Sequence, residues 1–230
     1  MENKNSEMAT KKANGITELV FILDKSGSMA GMVSDTIGGF NDMIEKQKKE
    51  EGKAYVSTVL FSNSSKVIHD RVDIQEVQPM TEKDYCPSGA TALLDAIGGA
   101  IHHIGNVHKY ARKEDVPEKT MFIITTDGME NASRVFSSEK VKNMIARQET
   151  KYGWEFFFVA SNIDAVETAE CIGIRRERAS NYSVEEGTLE MYSVMSDSIS
   201  SYRSCGSVSE DWNKKMEQRV KEKNKKNRNR

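Results

Sequence analysis

Residues 17–29 read TELVFILDKSGSM. Five consecutive apolar residues, Leu19 to Leu23, include β-branched and aromatic members and mark a buried strand. At Asp24 the polarity switches abruptly, and a glycine-containing polar loop follows through Met29. Working outward, apolar positions Met32, Val33, Ile37, Phe40, Met43 and Ile44 fit helical spacing, which predicts an amphipathic helix over 32–49. Residues 54–61 and 66–72 read as two strands joined as a hairpin across Ser62-Asn63-Ser64-Ser65. Residues 73–90 read as irregular. A second helix spans 92–110, with Leu93, Leu94, Ile97, Ile101, Ile104 and Val107 on one stripe. Further strands are expected at 120–125 (TMFIIT), 154–160 (WEFFFVA) and 177–180, and further helices at 138–150, 164–171 and 184–202. Asp164 is placed to cap the helix at 164–171.

Six strands alternating with five helices predict an α/β fold. Its sheet is doubly wound, mostly parallel and six-stranded, with one antiparallel edge strand from the hairpin and helices on both faces. In such a sheet, ligands gather at the carboxyl ends of the strands, near the switch in strand order. The polar residues that follow each apolar run are therefore the ones to compare.

After the first strand come Asp24, Ser26 and Ser28, in DKSGSM. After the strand at 120–125 comes Asp127, in TTDGMEN. Just before the second helix comes Thr91, in PSGATA. The fold rule brings Asp24 and Asp127 to one edge, and a helix start can bring Thr91 there too. Two carboxylates and three hydroxyls are all hard oxygen donors, suited to Mg²⁺, Mn²⁺ or Ca²⁺ rather than to zinc or copper. Two carboxylates offset the charge of a divalent cation without excess. Five side chains cannot close an octahedron, so one position is left for water or for the acid of a partner. This arrangement favours a metal-bridged contact between two proteins over a structural metal.

DKSGSM after a buried strand resembles the D-x-S-x-S motif of the von Willebrand factor type A domain. Thr91 in SGATALLDAI and Asp127 in TTDG match the remaining two elements, in order. The resemblance covers roughly residues 16–203. It implies a Rossmann-like sheet and a metal-ion-dependent adhesion site made of Asp24, Ser26, Ser28, Thr91 and Asp127. It also implies a divalent ion, usually Mg²⁺, that coordinates an acidic residue of a protein ligand. The sequence is more similar to a bacterial intracellular subgroup, found near tellurium-resistance and AAA+ ATPase systems, than to secreted adhesion proteins. An AAA+ ATPase or stress-response component is then the implied class of partner.

The chain has 230 residues and a formal net charge of −2. Its 37% apolar content is too high for a wholly disordered chain and ordinary for a globular one. Residues 214–230 hold nine basic and two acidic side chains, a net +7, which leaves −9 on residues 1–213. The expected organisation is a flexible arm over 1–15, a domain over 16–205 and a basic tail over 206–230. The tail offers an alternative reading as a nucleic-acid contact, but it has no aromatic after Trp212 and the acidic body disfavours a broad nucleic-acid surface. The longest apolar stretches fall far short of the roughly 20 residues that span a bilayer, and the polar start has no apolar core of a secretory signal. Cys86, Cys171 and Cys205 are widely separated, which excludes a metal knuckle and suggests a reducing, cytoplasmic setting.

Catalysis has little sequence support. There is no G-x-x-x-x-G-K-[ST] loop and no G-x-S-x-G elbow. His69, His102, His103 and His108 do not form a metal set, and none follows a strand end where a base would be needed. A metal-dependent phosphoester hydrolase is the alternative, but Lys25 is the only basic residue in the site loops. Glu130 and Asn131 read as a solvated loop at the rim.

Overall fold

A computed structural model describes residues 15–214, 216–218 and 221. Residues 1–14 of the expected arm over 1–15, and residues 215, 219, 220 and 222–230 of the expected tail, lie outside the described residues. The strands are β1 (Thr17–Asp24), β2 (Ala54–Phe61), β3 (Ser65–Asp73), β4 (Lys119–Thr126), β5 (Glu155–Ala160) and β6 (Ala179–Asn181). The helices are α1 (Val33–Gln47), α2 (Leu93–Tyr110), α3 (Ser138–Tyr152), α4 (Ala165–Cys171) and α5 (Val184–Cys205). The sheet order is β3-β2-β1-β4-β5-β6, and only the β2–β3 pairing is antiparallel. The strand order therefore reverses between β1 and β4, where a crevice opens at the carboxyl edge.

The period of two along each strand divides the core into two layers. Leu19, Phe21 and Leu23 point to the face covered by α1 and α5, together with Met121 and Ile123 of β4. Val20 and Ile22 point to the face covered by α2, α3 and α4, together with Phe122 and Ile124. All eight residues of β1 are buried, as expected for a strand in a sheet covered on both faces. Helices α1 and α5 approach closely at Gly39, where a Cβ would fall 2.3 Å from Tyr192 Cδ2. The buried Arg203 of α5 ties the two helices further. It donates to Gln47 O at 2.5 Å and to Gly52 O at 2.9 Å, satisfying carbonyls at and beyond the end of α1.

Two segments carry more structure than their sequence suggests. Residues 73–90 lack long regular elements, yet Ile74, Val77, Met80 and Tyr85 are all buried. The first part of the segment expected as a basic tail also packs on the body: Val208, Trp212 and Met216 join the α1–α5 layer. The Trp212 ring meets Phe157 edge-on at 5.0 Å, and its Nε1 donates to Glu177 O at 2.8 Å. Gly206, at φ 75°, ends α5 and turns the chain toward this packing. Among the described residues no helix is long and apolar enough to cross a membrane.

Trp212→Ala is expected to lower stability by about 3 kcal/mol in urea unfolding, the cost of deleting a large buried ring. A solvated extension would show no such loss.

Candidate metal centre

β1 ends at Asp24 and β4 at Thr126, with Leu23 opposite Thr125 in the parallel register. Asp24 is therefore carried to the carboxyl edge beside the β4 end and is fully buried there. Its Oδ1 accepts from Ser26 N at 2.7 Å and its Oδ2 from Thr126 Oγ1 at 2.5 Å. Tyr85 OH donates to the Asp24 carbonyl at 2.5 Å from behind. The next turn places Ser26 Oγ 3.1 Å from Ser28 Oγ, and Ser28 Oγ donates to Asp127 Oδ1 at 2.6 Å. One continuous hydrogen-bonded set thus runs from Asp24 through Ser26 and Ser28 to Asp127.

Thr91 reaches the same place from the turn before α2. A Cβ on Gly128 would lie 3.5 Å from Thr91 Oγ1 and 3.7 Å from Ser28 Oγ, so both hydroxyls border one small space. The backbone of Thr91 is clamped on both sides by Asn131. Thr91 N donates to Asn131 Oδ1 at 2.9 Å, and Asn131 N donates to Thr91 O at 3.0 Å. The surrounding loops bond to one another: Gly27 N donates to Gly89 O, Ser88 N to Lys25 O and Ala92 N to Ser62 O. All five side chains singled out from the sequence are brought together.

The electrostatics are unusual. Asp24 and Asp127 are both buried, and neither forms an ion pair with a basic side chain among the described residues. Burial pushes the Asp127 carboxyl above its ordinary value; Ser28 counters this, and the nearby Asp24 adds to it. Two uncompensated carboxylates with hydroxyls between them fit a hard divalent cation, which would neutralise both. Among the described residues no group of three or more His, Cys, Asp or Glu side chains could hold a metal. The donor set here instead completes two carboxylates with hydroxyls.

Sequence reasoning missed Thr126 and Tyr85. Thr126 carried a signal, since it stands immediately before Asp127 on the same strand end. Tyr85 carried none, lying in the stretch read as irregular. Glu130 and Asn131 also do more than line a solvated rim. Glu130 Oε2 accepts from Leu94 N at 2.9 Å, capping α2, and its Oε1 accepts from Ala132 N and Ser133 N. Asp95, in the first turn of α2, accepts from Arg134, Val135 and Phe136 N. Asp164 lies outside the cluster and caps α4 by accepting from Glu167 N at 2.9 Å.

Thr126→Val keeps the side-chain shape but leaves buried Asp24 Oδ2 without its donor. Urea unfolding is expected to show a loss of about 1–3 kcal/mol, largely restored in Thr126→Ser.

No family profile and no curated protein matches the sequence. Solved structures do match. The VWA2 paralog of ArnB from Sulfolobus acidocaldarius is 15% identical over 81% of this chain and 46% of its own, with a TM-score of 0.52. A manganese-loaded TRAP protein of Plasmodium vivax is 15% identical over 77% of this chain and 72% of its own, with a TM-score of 0.54. Proximal thread matrix protein 1 from the mussel byssus, in a structure with a zinc-occupied MIDAS motif, is 16% identical over 80% of this chain and 46% of its own, with a TM-score of 0.53. The chain spans less than half the length of the first structures it matches. A six-stranded sheet with one antiparallel edge, an acid-and-hydroxyl cluster at its switch point and these structural likenesses all agree: the chain has the von Willebrand factor type A fold.

Proposed function

We propose that the chain is a metal-dependent protein-binding module whose centre is Asp24, Ser26, Ser28, Thr91 and Asp127. The observation that carries this reading is the pair of buried carboxylates with no basic partner among the described residues, joined through Ser26 and Ser28. Mg²⁺ is the cation that best suits such oxygen donors, and Mn²⁺ and Ca²⁺ share the preference. Bound there, the ion supplies a Lewis-acid position open to a carboxylate from outside.

The chain's own residues do the rest. Asp24 and Asp127 bring the two charges, while Thr126 and Ser26 N hold Asp24 in one orientation. Ser28 is exposed and stands at the mouth, so an incoming Asp or Glu of a partner protein meets it first. The hydrogen-bonded cluster contains no histidine, lysine or arginine that could serve as a base or phosphate clamp, which favours binding over catalysis. An AAA+ ATPase or stress-response component is the partner class that the sequence resemblance implies. All three cysteines are free and exposed, in keeping with a cytoplasmic setting.

Thermal and urea unfolding with added Mg²⁺ or Mn²⁺ tests the centre. At a hundred times its Kd, the cation is expected to stabilise the wild type by about 2.7 kcal/mol, and chelator should reverse the gain. Asp24→Ala is expected to show no gain. Equal cation responses in the two proteins would overturn the assignment. Pulldown with and without chelator, beside Asp24→Ala, then reads partner capture.

A further inference from the structure

The stretch between β3 and α2 has to cross the molecule. β3 runs away from the carboxyl edge, through a β-bulge at which Asp70 and Arg71 together oppose Ser57 and Arg71 holds φ 51°. Residues 74–90 then return to that edge without long regular elements. Their path is pinned along α1. Gln75 Nε2 donates to Lys48 O at 2.7 Å, and Lys48 Nζ donates to Val77 O at 3.1 Å. Asn41 and Met80 exchange two hydrogen bonds, at 2.9 and 2.8 Å. Ile74, Val77 and Met80 are buried along the way. An irregular backbone bonded this often is held in one place.

The return path ends on the metal centre. A turn in which Asp84 N and Tyr85 N both donate to Thr81 O leads into the buried Tyr85. Its hydroxyl donates to Asp24 O at 2.5 Å. Ser88 N then donates to Lys25 O at 2.8 Å, and Gly89 O accepts from Gly27 N at 3.0 Å. Ala90 N donates to Asn63 Oδ1 at 2.6 Å, and Thr91 follows directly. Pro87 fixes its own φ and restricts Cys86 before it, which stiffens the span from Tyr85 to Ser88. Residues 85–91 are thus a short strap, bonded along the Asp24–Ser28 loop and ending in Thr91.

The spacing that the strap sets bears on which cation fits. Mg²⁺ demands near-ideal octahedral geometry at about 2.0–2.1 Å, whereas Ca²⁺ accepts oxygens at about 2.3–2.6 Å in flexible arrangements. Donors on separate loops meet the stricter demand only when the loops are held at a fixed separation. The contacts of Ser88 and Gly89 with the loop are backbone bonds, whereas Tyr85 contributes a side chain. That side chain bonds the Asp24 carbonyl rather than its carboxylate, so it acts through Asp24 and is not itself a donor to the ion. We propose that Tyr85 is a positioning residue: by tethering the strap to the end of β1 it sets the separation of Thr91 from Asp24, and so selects a small divalent cation over a larger one. This inference rests on the metal centre proposed above.

Backbone amide NMR titration of the full chain with Mg²⁺ and, separately, Ca²⁺ tests this. Tyr85→Phe, which deletes only the hydroxyl, is expected to raise the Mg²⁺ Kd at least roughly tenfold and the Ca²⁺ Kd by less than about threefold. Asn63→Ala, at an exposed position, releases Ala90 N and should shift the ratio of the two Kd values the same way, by about threefold. It decides the matter if Tyr85→Phe does not fold. A ratio unchanged from wild type in folded Tyr85→Phe, with both cations weakened equally or not at all, would overturn the role of Tyr85. The metal centre would still stand in that event if wild type shows cation shifts that Asp24→Ala lacks. Wild type without shifts at about 20 mM of either cation would overturn the centre and this inference together.

Discussion

Two negative charges, Asp24 and Asp127, stand side by side in the buried carboxyl edge of the sheet, with no ion-pair partner among the described residues. Burying such a pair is unfavourable, and a fold normally separates the charges or pairs them. Here the parallel register of β1 and β4 forces them together. The surrounding polar groups can only moderate the conflict. Thr126 and Ser26 N take up the two oxygens of Asp24, and Ser28 takes one from Asp127. Each is a neutral donor, so the charge itself remains, and that residue of charge is what makes a cation the natural complement.

The rigidity of the edge comes from the loops that frame it. Residues 128–136 are held to the start of α2 by Glu130 and Asp95, which together accept six backbone N–H groups. Asn131 fixes the Thr91 backbone within the same frame. A loop anchored this densely holds its side chains in place without regular secondary structure. The hydroxyl of Thr91 is thereby presented beside Gly128, within ordinary contact distance of where a Cβ there would stand.

Much of this was legible in the sequence because the strands announce themselves. β1, β4 and β5 are continuous apolar runs flanked by polar loops, and their order with the helices determines the sheet. Four of the five oxygen-bearing residues followed, since Asp24, Ser26, Ser28 and Asp127 sit just past those runs, and Thr91 stands just before α2. Tyr85 was not legible: its contact with the Asp24 carbonyl joins positions far apart in the chain through an irregular segment. The packing of Val208, Trp212 and Met216 was hidden for another reason. These apolar residues are spaced four apart among charged and polar neighbours, and the net +7 of residues 214–230 dominates any reading of the region. Arg71 in the left-handed region was beyond reach too, because no side-chain preference predicts an arginine where glycine is favoured.

The two margins of the sheet are also shaped. β6 is only three residues long, and β3 is interrupted by its bulge and carries exposed Lys66 and Asp70. Unpaired strand margins invite other chains to add on, and a short strand, a kink and charged side chains each discourage it. Val67, half exposed on β3, is the apolar spot on that margin. The bulge that carries Arg71 therefore also guards against fibril-like stacking of one copy on another, and straightening it would trade local relaxation for a tendency to aggregate.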